Sequence, residues 1–82
     1  MLAETFLLRG DLTTPRLPPW IERHARRLGL SARITERRPD AITVEVAGPP
    51  DLLDALEMGC LLGPIDAWVD SIQRAPLTRA AA

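Results

Sequence analysis

Apolar and polar positions along this chain recur with two different periods. In residues 42–46, Ile42, Val44 and Val46 alternate with Thr43 and Glu45, the period of a half-buried strand. The same reading predicts strands over 3–9, with Phe6 and Leu8 on one face, over 32–37, with Ile34 inward, and over 67–74, carrying Val69 and Ile72. Between them the period lengthens. Ile21, Ala25 and Leu28 predict a helix over 19–28, with Pro19 in its first turn and Gly29 as its stop. Leu53, Leu56 and Cys60 predict a second helix over 50–62, opened by Gly48-Pro49-Pro50-Asp51 and broken by Gly63-Pro64. Asp51 and Asp54 suit its positive end. Gly10 ends the first strand, Arg38-Pro39-Asp40-Ala41 makes a turn, and residues 75–82 read as a frayed, disordered tail.

The order is therefore β-α-β-β-α-β. It predicts an α+β, ferredoxin-like βαββαβ sandwich, an antiparallel sheet covered on one face by two helices. The 82 residues suffice for one domain, 1–82, with its core over about 3–74.

Composition narrows the function classes. No apolar run reaches the roughly 18–20 residues of a membrane span. The start, Met1-Leu2-Ala3-Glu4, lacks the pattern of a secretory signal, so a cytoplasmic bacterial protein is expected. Cys60 is the single cysteine, which excludes an internal disulfide and a cysteine-based zinc site. No metal or cofactor is expected. His24, the single histidine, reads as a surface residue on the basic side of the first helix.

Charge is divided along the chain. Residues 1–38 hold eight arginines against Glu4, Asp11, Glu22 and Glu36, net +4; residues 39–82 hold two arginines against seven acids, net −5. Every basic residue is Arg, as a GC-rich coding sequence gives, and as a face that grips anions through guanidinium forks would also give. Nucleic acid is not an expected partner. The pI is about 5.7, there is no Tyr and one Phe, and no binding motif is visible.

The stretch Gly10-Asp11-Leu12-Thr13-Thr14-Pro15-Arg16-Leu17-Pro18-Pro19-Trp20 sits where a strand hands over to a helix. A loop that grips phosphate there uses consecutive backbone N–H groups, and proline has none.

Ala25-Arg26-Arg27-Leu28-Gly29-Leu30, Gly48-Pro49 and Gly63-Pro64…Val69-Asp70-Ser71-Ile72 resemble the acylphosphatase pattern, in register from Gly10 to Ile72. That family hydrolyses carboxyl-phosphate bonds without metal or cofactor, holding the phosphate with loop amides and one Arg while an Asn orients the water. By that resemblance the phosphate-binding Arg falls on Pro18 and the water-orienting Asn on Glu36. What is left to hold an anion is Thr13, Thr14, Arg16 and Leu17. Losing one preorganised donor in an oxyanion site costs about 2.7–4 kcal/mol. A carboxylate at Glu36 would repel an anion by about 4 kcal/mol at about 4 Å and an effective dielectric of about 20.

Three functions follow from this reading. The leading one is an acylphosphatase-like protein that is catalytically inactive and acts as a small binding or interaction module. The alternatives are a divergent acylphosphatase working through Arg16, and an anion or nucleotide sensor on the arginine-rich helix. Met58, Leu61 and Leu62 lie off the inner stripe of the second helix and are candidates for an interaction surface. Most members of that family continue to a final "G-F-x-I-R" strand; by that resemblance a sheet edge here is expected to be unpaired, and such an edge invites another chain. The expected partner is an unknown protein or a weak homodimer, besides a small anion.

Overall fold

Strand β1 (Leu2–Asp11) leads into helix α1 (Leu17–Arg27), strands β2 (Ser31–Arg38) and β3 (Ala41–Gly48), helix α2 (Pro50–Leu62) and strand β4 (Trp68–Pro76). This computed structural model describes residues 2–64 and 66–77. The strands form one antiparallel sheet in the order β2-β3-β1-β4. The βαββαβ sandwich expected from the sequence is the fold observed.

The period-two pattern sets which face is covered. Phe6, Leu8, Ile42, Val44 and Val46 are buried under the helices, where they meet Leu17, Ile21 and Ala25 of α1 and Leu53, Leu56 and Cys60 of α2. Burying side chains of this size is worth about 1.5–3 kcal/mol each before chain entropy is set against it.

Several boundaries differ from the sequence reading. β1 does not end at Gly10 but continues to Asp11, because β4 bulges opposite it: Arg9 pairs with Ser71 and Gly10 with Val69, leaving Asp70 unpaired. The bulge reverses the alternation and lets Val69 and Ile72, three apart, both turn inward. α1 begins at Leu17, not at residue 19, since prolines at Pro18 and Pro19 occupy a first turn whose N–H groups would have no helical partner anyway. It closes in a Schellman turn, with Gly29 at φ 78°, the Gly29 N–H donating to Arg26 O and the Leu30 N–H to Ala25 O. Nor does the chain fray at residue 75. β4 runs to Pro76 and the Leu77 N–H donates to Ala3 O at 2.9 Å; the rest of the expected tail, 78–82, lies outside the described residues. Among the described residues the outer edges of β2 and β4 have no strand partner. No described helix is long and apolar enough to cross a membrane.

Candidate functional site

The β1–α1 connection folds back on itself. Asp11 Oδ1 accepts from the Thr13 N–H at 3.4 Å and from the Thr13 hydroxyl at 2.9 Å. The Thr14 hydroxyl donates to Asp66 at 2.8 Å and accepts from the Arg16 N–H at 3.3 Å. The Leu12 N–H donates to Pro39 O and the Leu17 N–H to Thr14 O. Pro15 and Pro18 have no N–H. Of the backbone nitrogens of residues 12–18, that of Thr14 alone is an N–H without an acceptor among the described residues. A phosphate cradle requires several such groups aimed at one point.

The sequence-derived candidates are not brought to one place. Thr13 and Thr14 line a shallow cavity of about 270 Å³ with Arg37, Arg38 and Pro39. Pro18 and Glu36, which the resemblance would set on the family's Arg and Asn, line one cavity of about 330 Å³ with Glu22 and Arg37. Arg16 instead faces a wider cleft of about 520 Å³ beside Trp20, Arg23 and Asp66. There its Nε lies 3.8 Å from Asp66 Oδ2, an exposed pair of small energetic weight. Leu17 is corrected outright. Its side chain is fully buried in the core and its N–H is already used, so it offers an anion nothing.

Glu36 also needs correcting. Thr35 is bulged out of the β2–β3 ladder, so Glu36 pairs opposite Thr43, on the face away from the helices, and Arg37 pairs opposite buried Ile42. The Glu36 carboxylate is bound by Arg38 Nε at 2.7 Å. The repulsion expected from Glu36 alone is therefore offset by the Arg38 guanidinium bound to it.

Arg37 is the site residue that sequence reasoning missed. It lines both the Thr13–Thr14 cavity and the Pro18–Glu36 cavity, and no carboxylate among the described residues pairs with it. Strict alternation through β2 would have turned it to the opposite face; only the bulge at Thr35 exposes the signal.

Elsewhere, His24 is not a plain surface residue. Its ring stacks on Trp20, centroids 5.0 Å apart and 17° between planes, and packs against the bare backbone of Gly59 in α2. Cys60 is buried, and burial, helped by the nearby Glu57 charge, pushes its thiol up to about 12, so no nucleophilic thiolate forms near neutrality. Among the described residues no three His, Cys, Asp or Glu side chains converge on a metal site. Met58, Leu61 and Leu62 are exposed on α2, at 66%, 44% and 79%.

No family model matches the chain, and no curated protein is significantly similar to it. Solved structures are similar in fold. Acylphosphatase from Bacillus subtilis superposes with a TM-score of 0.85 at 15% identity, covering 98% of this chain and 89% of that one. An acylphosphatase from Coxiella burnetii gives 0.85 at 14% identity, over 99% of this chain and 85% of that one. The chain therefore has the acylphosphatase fold.

Proposed function

We propose that this acylphosphatase-fold domain does not hydrolyse acyl phosphates and works as a small binding module, holding a small oxyanion between the Thr14 N–H and Arg37, in the cavity that Thr13 and Thr14 line. The observation that carries this reading is the hydrogen bonding of residues 12–18, which leaves one amide without an acceptor among the described residues where a cradle needs several. The donors missing at Pro15 and Pro18 are each worth about 2.7–4 kcal/mol where a charge develops in a transition state. Arg37 still supplies a fixed positive charge with forked donors, enough to hold an oxyanion without positioning a water against it.

The test is hydrolysis of benzoyl phosphate beside the Bacillus subtilis acylphosphatase. Turnover at background supports the reading, and turnover within about tenfold of that enzyme, about 1.4 kcal/mol in barrier, overturns it. Activity that Arg16→Ala abolishes would instead establish a divergent hydrolase working through Arg16.

A further inference from the structure

We propose that the helix layer is a self-complementary face on which a second copy of this chain docks, about a two-fold axis parallel to the helices. α1 and α2 lie antiparallel: the Arg16–Asp66 pair and the Trp20–Pro64 cleft put the start of α1 beside the end of α2, and His24 abuts Gly59 midway. Each end of this layer carries half of a match.

At the α1-start end lies a cleft of about 520 Å³ walled by Pro15, Pro19, Trp20 and Pro64, with the charged side chains of Arg16, Arg23 and Asp66 also lining it. Across from it on the same layer stand Met58 and Leu62, an i, i+4 ridge on the solvent side of α2. Leu62 is three residues past Gly59 and Trp20 four before His24, about 4.5 and 6 Å along antiparallel axes, so knob and cleft are level. A rotation about an axis along the helices lays α1 of one copy over α2 of the other. Each copy's Leu62 then meets the other's Trp20 cleft, twice over.

The charges repeat the match. The outward side of α1 carries Arg23, Arg26 and Arg27, and none has an ion-pair partner among the described residues; the start of α2 carries exposed Asp51, equally unpaired. The same rotation brings the arginine end of one copy over the aspartate end of the other. An isologous contact requires this kind of self-match. The residues of the Thr13–Thr14 cavity take no part, so the proposal stands whether or not the loop hydrolyses anything.

Helices of 11 and 13 residues are about 17 and 20 Å long, so the face falls short of the ~800 Å² per partner of a standard interface. The dimer is accordingly weak, with half-association on the order of 0.1–1 mM.

Sedimentation equilibrium from about 0.02 to 2 mM reads it directly. Mass is expected to rise from 9.0 kDa toward twice that value. Leu62→Asp, at an exposed position, is expected to weaken association at least about tenfold with an unchanged circular dichroism spectrum. Arg26→Asp with Arg27→Asp in one sample, and Asp51→Arg in another, should each self-associate less and regain association when mixed. A mass fixed at 9.0 kDa through about 2 mM overturns the proposal. So does a Leu62→Asp variant that still associates normally, or a charge-reversed mixture that does not recover.

Discussion

The Arg74 guanidinium lies 5.0 Å from the centroid of the Phe6 ring and is held there by Glu4, whose carboxylate accepts from Arg74 Nε at 2.7 Å. Asp54 and Glu57 of α2 accept from the other end of the same group, at 2.7 and 2.8 Å. One side chain on β4 thereby ties β1, β4 and α2 together over the edge of the core. Arg74 is 23% and Glu4 17% exposed, so water replaces these bonds poorly. Arg74→Met keeps the aliphatic contact with Phe6 but leaves Glu4 and Glu57 without a cation. The expected loss is about 2–3 kcal/mol of unfolding free energy, under the 3–5 of a fully buried pair because Asp54 and part of Arg74 reach solvent. Urea denaturation checks it, and Glu4→Gln should cost less than half as much.

Gly10 faces the bulge in β4, and a methyl group on its Cα would collide with the carbonyl oxygen of Trp68. Its φ of 152° adds strain for any other residue. Gly10→Ala is therefore expected to destabilise the fold by about 2–4 kcal/mol. Gly29→Ala, at φ 78° with open space around the missing Cβ, should cost only about 1 kcal/mol. The pair of denaturation midpoints separates close approach from backbone strain.

How far each element could be read from the sequence depended on whether its signal was local. α2 was legible to the residue, because Leu53, Leu56 and Cys60 keep the helical period and Pro49-Pro50 can only start a helix there. β3 was plain in its alternation, although it runs on to Gly48, which the sequence reading gave to the opening of the helix. The start of α1 was misplaced because Pro18 and Pro19 punctuate a sequence as loop while being compatible with a first helical turn. Arg37 and Arg74 were invisible for different reasons. A bulge reversed the face of the first, and the partners of the second lie 17, 20 and 70 residues away. Pro18 and Glu36 line one cavity, yet the charge around them comes from arginines that no motif marks.

Anion binding separates the two arginines near the loop. Titration with inorganic phosphate, followed by amide chemical shifts, should move Thr13 and Thr14. Arg37→Ala is expected to weaken this binding about tenfold or more, since a charged hydrogen-bond donor is worth about 1.5–3 kcal/mol. Arg16→Ala should leave it within about twofold, because Arg16 faces the Trp20 cleft and its nearest charge is Asp66. Shifts lost with Arg16→Ala and kept with Arg37→Ala would reverse the assignment of the site.

The alkaline limb of the stability curve is expected to follow the Cys60 thiol. The chain has no Lys and no Tyr, and Arg stays charged throughout, so Cys60 is the side chain left to titrate between pH 9 and 12. In the folded state burial, and then the Glu57 charge, raise its thiol from 9.0 to about 12. The folded state thus keeps a proton that the unfolded state gives up. Stability from this group is intact below pH 9 and falls as pH rises from 9 toward 12, by roughly 1 kcal/mol per unit. Cys60→Ala should flatten the curve over that range while lowering stability slightly at pH 7 through the smaller side chain. Urea midpoints at pH 7, 9 and 10.5 measure the slope. The same burial should leave the native thiol unreactive toward iodoacetamide at pH 8 and make its alkylation follow unfolding. A curve equally steep in Cys60→Ala would assign the alkaline loss to backbone or arginine contacts instead.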